Sequence, residues 1–343
     1  MSEHARPPAR AAPRRREPAA GRDAEFLAVR GLRKYFPVRK GIFLRRVGEV
    51  KAVDGVSFAV DRGTTLGLVG ESGCGKTTTA RVIVHLEQPD SGRVIVDGTD
   101  TDGLAGAELR RFRTVAQMIF QDPYSSLNPH HSARRILGEP LLVHGLCTRA
   151  QLRERVAAIL DRVNLSADFA DRYPHELSGG QRQRLGIARA IALEPRLIVC
   201  DEPVSALDVS IRSQILNLLL DLQEELELTS LFVAHDLSVI EHVSDVIAVM
   251  YLGKIVETAP TDRFFAGTLH PYSEALLSAV PVPDPRVRKK RMVLAGDVPS
   301  PLAPPSGCRF RTRCPLADRR CAEEEPPLRE VAPRHLLACH HRG

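Results

Sequence analysis

Residues 70–77 read Gly70-Glu71-Ser72-Gly73-Cys74-Gly75-Lys76-Thr77. This stretch matches the phosphate-loop pattern, in which a glycine, four variable positions and Gly-Lys-Ser/Thr follow one another. The apolar run 65–69 before it predicts a strand, and residues 78–86 after it predict a helix. Strand, loop and helix in that order are the context in which the pattern binds phosphate groups. The alternative is a glycine-rich turn that binds nothing, and the positions of Lys76 and Thr77 in the pattern disfavour it.

The residue types in this loop indicate which ligand it would bind. Gly70, Gly73 and Gly75 allow successive backbone N–H groups to point into one concavity, with the positive end of the helix behind it. Lys76 would supply a cation for the β- and γ-phosphates, and the Thr77 hydroxyl would be a ligand for Mg²⁺. The sequence therefore predicts a nucleoside-triphosphate site.

Composition sets the limits within which this site must fit. The 343 residues are 43% hydrophobic and 26% charged, an ordinary globular balance, and the formal net charge of +6 is mildly basic. Residues 1–24 are rich in Pro, Arg and Ala and predict a disordered tail. Neither a secretory signal nor an apolar run approaching the roughly 18 residues of a membrane span is evident.

Three further strands are predicted to end in polar residues. The apolar run 197–200 is followed by Asp201 and Glu202, the run 230–234 by His235, and the run 115–120 by Gln121. Beside a phosphate loop, an acidic pair at a strand end is typical of a Mg²⁺ carboxylate and a candidate base. Taken alone, the acidic pair would be a solvated turn and the histidine a core or capping residue.

A second glycine-rich stretch, 177–181, reads Leu-Ser-Gly-Gly-Gln and opens a helix predicted to reach residue 192 within a mostly helical region, about 125–193. Two adjacent glycines destabilise a helix start, and free N–H groups aimed at an anion would compensate. Two strands, 26–36 and 50–60, are predicted around a basic loop containing Arg39, Lys40, Arg45 and Arg46. Tyr35 or Phe36 at the end of the first strand could stack on a purine base or belong to the core.

The seven cysteines are unevenly placed. Cys74 lies in the loop at a helix N-terminus beside Lys76, where we expect its thiolate to be favoured. Four others crowd a Pro-rich segment near the C-terminus: Cys308, Cys314, Cys321 and Cys339. Because that segment lacks an evident apolar core, the four thiols suggest that a metal organises it. Nearby histidines, His335, His340 and His341, could replace one thiol but are expected to face solvent.

Together these residues resemble the nucleotide-binding subunit of ATP-binding-cassette (ABC) transporters over about residues 26–265. The stretch 177–181 is similar to the cassette signature, and 121–129, 201–208, 270–272 and 305–315 resemble the bacterial oligopeptide/dipeptide importer ATPases, the second oligopeptide-type subunit most closely. The resemblance implies an α/β, RecA-like phosphate-loop domain at 25–270, with an antiparallel β subdomain and a helical insertion, followed by a small Cys-rich extension at 271–343.

The resemblance also implies roles for single residues. Glu202 would polarise the attacking water, His235 would contact the γ-phosphate, and Gln121 would link the metal and water to the helical insertion. Mg²⁺ would be held through Thr77, Gln121 and Asp201. The chain's own ATP would contact Phe36, with Tyr35 in reserve, and Gly70, Glu71, Ser72, Gly73, Cys74, Gly75, Lys76, Thr77 and Thr78. The partner cassette's ATP would contact Ser178, Gly179, Gly180, Gln181 and Asp208.

Partners and cofactors are expected on the same ground. The resemblance implies ATP and Mg²⁺, a second ABC ATPase subunit (identical or related), two membrane permease subunits and, indirectly, an extracytoplasmic peptide-binding protein. The chain would lie on the cytoplasmic face of the bacterial inner membrane. For the cysteines, whose spacing fits zinc pairs poorly, a four-iron [4Fe-4S] cluster ranks first, zinc second and free thiols third.

Other function classes fit less well. A cassette ATPase acting on nucleic acid is the main alternative, but nothing in 75–177 resembles the long heptad arms or zinc modules of such relatives. A translation-factor cassette would carry two phosphate loops, and a metabolic kinase would leave 177–181 without a purpose. No nucleic-acid partner is therefore expected.

Overall fold

The computed structural model of the protein describes residues 25–41, 45–280, 292, 294 and 296–343. The predicted disordered tail, 1–24, lies outside these residues. The strands are β1 (Glu25–Lys40), β2 (Arg45–Asp61), β3 (Thr65–Val69), β4 (Ser91–Val96), β5 (Thr99–Asp100), β6 (Ala116–Ile119), β7 (Leu197–Asp201), β8 (Thr229–Ala234), β9 (Val246–Tyr251), β10 (Lys254–Pro260), β11 (Arg329–Ala332) and β12 (His335–Leu337). The helices are α1 (Lys76–Ile83), α2 (Gly106–Val115), α3 (Pro123–Ser126), α4 (Ala133–Val143), α5 (Leu152–Arg162), α6 (Gly179–Ile191), α7 (Val209–Glu225), α8 (Leu237–Val243), α9 (Thr261–Ala266), α10 (Pro271–Ser278) and α11 (Arg319–Glu323).

The larger sheet has the strand order β11-β12-β10-β9-β3-β8-β7-β6. Its segment from β9 to β6 is parallel, and β10 and the strands beyond it are antiparallel. Every residue of β3, β7 and β8 is buried. Near-continuous apolar runs are typical of parallel strands that are covered on both faces. The carboxyl ends of the parallel strands therefore meet at one edge of the sheet.

The smaller sheet is antiparallel, with the order β2-β1-β4-β5. The predicted basic loop between the first two strands is wrong in part, because β1 continues beyond Phe36 and its ladder pairs Arg39 with Arg46 and Lys40 with Arg45. The long hairpin carries its basic residues on paired strands. In the sequence, the alternation of hydrophobic and polar residues ends at Phe36, whereas the pairing of β1 with β2 continues to Lys40.

The helical insertion is confirmed and consists mainly of α4, α5 and α6, with two short 3-10 helices, Ala167–Asp171 and Pro174–Glu176, between the last two. In α5, Val156 and Leu160, four residues apart on one helix face, are fully buried. These helices share one hydrophobic core with the sheet. None of the helices among the described residues is both long and apolar enough to span a membrane.

The C-terminal extension adds two strands to the larger sheet. β12 pairs antiparallel with β10, and Leu337 lies opposite Glu257. His335 was expected to face solvent, and that expectation is wrong, because the residue is 2% exposed. Its Nε2 atom lies 2.8 Å from the Glu257 carboxylate, which is itself buried. A buried carboxylate needs such a partner. His335 is therefore buried because it pairs with Glu257, although its strand lies near the edge of the sheet.

The extension also reaches into the core, contrary to the expectation that it lacks apolar packing. Phe310 is 1% exposed. Its ring centroid lies 5.2 Å from that of Tyr251 on β9 and 5.4 Å from that of Tyr272 on α10. Aromatic pairs at this distance add to the free energy gained from burial.

We expect Phe310→Ala to lower the free energy of unfolding by about 3–5 kcal/mol, because it leaves a cavity among buried aromatic rings. Urea denaturation followed by circular dichroism would measure the change. Leu316→Ala is the matched control, because Leu316 lies in the same segment but is 39% exposed. Equal losses in the two variants would contradict a core role for Phe310.

Candidate active site

The polar residues predicted at strand ends all follow parallel strands of the larger sheet. The loop 70–77 follows β3, His235 follows β8, Asp201 ends β7 with Glu202 directly after it, and Gln121 comes shortly after β6. In open parallel sheets, ligands bind at the carboxyl ends of the strands. The topology therefore brings these residues to one site.

The phosphate loop is tightly wound around Lys76. The Lys76 side chain is buried, and its Nζ donates hydrogen bonds to the carbonyl oxygens of Gly70 (2.8 Å) and Glu71 (3.1 Å). Gly75 has φ +111°, and a Cβ atom there would lie 2.0 Å from the carbonyl oxygen of Ala52. Only glycine fits this position, so the pattern's third glycine is required by close backbone packing.

Thr77 and Asp201 bring two oxygen atoms together. The Thr77 hydroxyl donates a hydrogen bond of 3.0 Å to Oδ1 of Asp201. Burial is the main cause that raises the pKa of the Asp201 carboxyl, and the hydrogen bond from Thr77 opposes it. A divalent cation would offset the cost of burying this charge, and hydroxyl and carboxylate oxygens are the ligands that Mg²⁺ prefers. The pair fits a magnesium site.

Glu202 stands between Gln121 and His235. Gln121 Nε2 donates a hydrogen bond of 2.9 Å to Glu202 Oε2, and His235 Nδ1 lies 3.3 Å from the same oxygen. Glu202 has φ +46°, in the left-handed region that is costly for a side chain of this kind. Its N–H donates to the Val233 carbonyl of β8, at 2.9 Å, which holds the strained residue in place. The carboxylate is thus fixed beside the magnesium pair, where it can orient a water molecule.

Cys74 does not have the thiolate character that the sequence predicts. Its side chain is 4% exposed. Burial raises the pKa of the thiol, and the nearby Lys76 charge lowers it less than burial raises it. The prediction is wrong because a helix N-terminus favours a thiolate only where the sulfur stays solvated.

The signature residues form a separate group at the start of α6. Ser178 and Gln181 cap this helix reciprocally: the Gln181 N–H donates to Ser178 Oγ, and the Ser178 N–H donates to Gln181 Oε1. A Cβ atom on Gly180 would lie 2.7 Å from Ile211 of α7, whereas one on Gly179 would meet only a single contact at 3.9 Å. Asp208, exposed, occupies the N-cap position of α7. The group therefore presents an open helix N-terminus beside α7.

The two aromatic candidates differ in availability. Phe36 is 37% exposed, with Lys34 Nζ 5.3 Å from its ring centroid. Tyr35 donates its hydroxyl hydrogen to Asp54. Burial, assisted by that carboxylate, raises the pKa of Tyr35 to about 12. Phe36 is therefore the freer surface for a base to stack on.

The four C-terminal thiols lie within electrostatic range of one another. Burial, with smaller contributions from the neighbouring Cys321, Cys314 and Cys339, raises the pKa of the Cys308 thiol to about 11. The Cys308 N–H donates a hydrogen bond of 2.8 Å to the Cys321 carbonyl. Mutual repulsion of thiolates is what a bound metal relieves.

One tighter group of metal-type ligands occurs in the described part of the chain. The ligand atoms of Asp318, Cys321 and His341 all lie within 4.8 Å of one another. Cys321 Sγ is 3.4 Å from His341 Nε2. Of the three histidines expected to face solvent, His341 is exposed and lies beside a cysteine, as a replacement ligand would.

Sequence reasoning missed the residues that hold the phosphate loop from outside. The Glu71 N–H donates to the Tyr272 hydroxyl oxygen, at 2.8 Å, and the Glu71 carboxylate accepts two hydrogen bonds from Arg313. Tyr272 was noticed only within a family-like motif, and Arg313 carried no signal. Partners 201 and 242 residues away leave no local pattern to detect.

A phosphate loop, an acidic strand end and a glycine-rich helix start, arranged on this sheet, define a nucleotide-binding domain of the ATP-hydrolysing cassette class. Family comparison agrees: the ABC transporter model matches residues 53–205, and the oligopeptide/dipeptide transporter C-terminal region matches 256–321. The chain belongs to the ABC transporter ATPases and carries the C-terminal region of the oligopeptide/dipeptide branch.

Individual relatives cover nearly the whole chain. It is 52% identical to the oligopeptide transport ATP-binding protein AppF of Bacillus subtilis over 94% of this chain and 98% of that protein. It is 53% identical to a probable peptide ABC transporter ATP-binding protein, y4tS, of Sinorhizobium fredii over 93% of this chain and 90% of that protein. Among solved structures, the ATP-binding cassette MJ0796, in a dimeric post-hydrolysis state with ADP and phosphate, matches with a TM-score of 0.61 and 29% identity, covering 68% of this chain and 98% of that one.

We expect Glu202→Gln to retain MgATP binding and to lose ATP hydrolysis by about 100-fold or more, because an amide cannot take a proton from water. Phosphate release and equilibrium binding of a fluorescent ATP analogue would separate the two properties. Lys76→Ala is the comparison variant, in which the loss should appear in binding instead. Hydrolysis by Glu202→Gln at the unmodified rate would contradict the base assignment.

Proposed function

We propose that the protein is the ATP-hydrolysing subunit that powers uptake of oligopeptides or dipeptides across the bacterial inner membrane. One observation carries the proposal: a phosphate loop, a magnesium pair and a positioned glutamate share one sheet edge, in a chain with a peptide-transporter C-terminal region. Relatives named as peptide-transport ATP-binding proteins support the substrate class. No observation favours the alternative, action on nucleic acid.

The geometry supports the following residue roles. Lys76 would exchange its bonds to loop carbonyls for bonds to the β- and γ-phosphates, and Thr77 and Asp201 would hold Mg²⁺. Glu202 orients the attacking water and takes its proton. His235 and Gln121, which both approach the Glu202 carboxylate, report the presence of the γ-phosphate and metal. ATP and Mg²⁺ are therefore the cofactors of the reaction.

A second cassette completes the site. The start of α6, with Gly179 and Gly180 directly after its N-cap Ser178, offers backbone N–H groups that suit the γ-phosphate of a partner's ATP. Each ATP then lies between one chain's phosphate loop and the other chain's residues 178–181, with Asp208 nearby. Closure of this dimer, of identical or related subunits, is the mechanical step.

A groove beside the site suits the permease subunits. A cavity of about 540 Å³ lies between β6 and the helical insertion. Its lining is mixed, with apolar and charged side chains that include Leu86, Arg113, Phe120, Glu139, Val143 and Arg189. Phe120 immediately precedes Gln121, so a permease segment in the groove would sense the metal site directly. The chain would thus act peripherally, on the cytoplasmic face of the membrane.

Co-expression with permease subunits of a peptide importer would test the function. We expect the protein to co-purify with two permease subunits, and the complex in liposomes to take up peptide only with internal MgATP and the binding protein outside. A complex carrying Glu202→Gln is the matched control and should assemble without transport. The proposal would be contradicted if the protein co-purified with nucleic acid instead of permeases and its ATPase activity did not depend on peptide.

We further propose that the C-terminal thiols hold a metal centre, an iron–sulfur cluster before zinc. Four thiolates around a single zinc ion would lie about 3.8 Å apart at Zn–S distances near 2.3 Å. Among the described residues, the group at such close spacing is Asp318, Cys321 and His341, rather than the four thiols. A four-iron cluster binds one thiolate at each of its four irons, and four thiols are what this segment offers. The mixed group is the place where zinc would bind.

Anaerobic purification after iron-replete expression should yield a brown protein that dithionite bleaches, with about four irons per chain. Cys314→Ser should remove the colour, whereas His341→Ala should keep it because the proposed cluster is bound by the four thiolates. Zinc without iron in elemental analysis, lost on His341→Ala, would replace the first ranking with the second.

A further inference from the structure

Glu71 is held at all three of its polar groups. Its N–H donates to the hydroxyl oxygen of Tyr272 (2.8 Å), and its carbonyl accepts from Lys76 (3.1 Å). Its carboxylate accepts from both terminal nitrogens of Arg313, at 2.7 and 3.1 Å. In the phosphate-loop pattern this position is variable, so nothing in phosphate binding itself demands a glutamate here. The side chain has another purpose.

Arg313 comes from the turn between the first two C-terminal cysteines. The Arg313 side chain is 8% exposed and that of Glu71 is 27% exposed, so water screens their contact weakly. Hydrogen bonds within the turn fix its shape: the Arg311 N–H donates to Cys308 O (3.1 Å), and the Arg313 N–H donates to Phe310 O (3.0 Å). The two hydrogen bonds from Arg313 to the Glu71 carboxylate fix the orientation of the pair in addition to attracting the two charges.

Two further residues of the same turn, Phe310 and Arg309, hold it against the rest of the protein. Phe310 packs against the rings of both Tyr251 and Tyr272. Arg309 donates hydrogen bonds to the Leu252 carbonyl and to the Asp54 carboxylate. The backbone that carries Arg313 is therefore held in place, so the Arg313 side chain can hold the phosphate loop in a fixed position.

Nucleotide binding makes this support consequential. The Lys76 ammonium must leave the carbonyls of Gly70 and Glu71 to reach phosphate, and the loop then loses two internal hydrogen bonds. Contacts that remain, at the N–H and carboxylate of Glu71, keep the loop in its wound shape. A loop held in its bound conformation costs less to order when the ligand arrives.

We propose that Arg313 is a positioning residue for ATP binding, acting through Glu71 to hold the phosphate loop in its binding conformation. The inference rests on the proposed binding of ATP by residues 70–77. It assigns the C-terminal extension a part in the ATPase reaction, in addition to any part in docking or metal binding.

The test compares variants of the full chain. Arg313→Gln and Glu71→Gln should each raise the Kd for MgATP and the KM for ATP by about tenfold, the loss of one charge-assisted contact, while kcat stays within about twofold. The double variant should bind MgATP no more weakly than either single variant, because both substitutions remove the same contact. Arg313→Lys, which keeps a single charged donor, should recover part of the affinity.

Arg311→Gln is the matched control. It removes an arginine of the same turn whose hydrogen bonds go to Ser306 and not to the loop, and its KM should not change. Glu71→Gln keeps the size of the side chain, so it supplies the answer if Arg313→Gln unfolds.

Three results would overturn the inference: unchanged affinity in both Arg313→Gln and Glu71→Gln, an equal loss in Arg311→Gln, or a loss confined to kcat. Absence of MgATP binding by the unmodified protein would instead overturn the proposed function, and the inference with it. Measuring MgATP binding by the unmodified protein first therefore shows whether the proposed function or only the role of Arg313 is wrong.

Discussion

Parallel backbone pairing between β3, β8 and β7 is the constraint on which the site depends. Its register places Val69 beside Ala234, and Val233 beside Asp201. These pairs stand at the strand ends, so the phosphate loop, His235 and the acidic pair emerge side by side. A slip of one residue would turn Asp201 to the opposite face of the sheet and away from Thr77. The magnesium pair is thus a product of sheet register.

The parts of the fold that local sequence describes could be predicted. The buried strands are continuous apolar runs, the insertion helices show helical spacing, and the loop 70–77 has a recognisable pattern. The fold class and the antiparallel subdomain follow from those signals and from the family resemblance. Even so, the end of β1 was placed too early, because hydrophobic alternation stops at Phe36 while pairing continues to Lys40.

Contacts made far along the chain could not be predicted in this way. The pairing of β12 with β10 and the burial of His335 against Glu257 join residues about 80 positions apart. Cys74 shows the same difficulty for chemistry, since its neighbours in sequence favour a thiolate and its burial in three dimensions opposes one. The roles of the signature residues stay predictions, since they concern a partner chain.

The bond between Glu71 and Arg313 has a consequence for the order in which the protein is made. Ribosomes release the chain from its N-terminus, and 242 residues separate the two partners. At typical rates of synthesis, that interval is on the order of tens of seconds. During it, β3 and the helix after it can form while the loop between them still lacks its arginine. A nascent chain, or one cut short before residue 313, therefore has a nucleotide pocket without its last support.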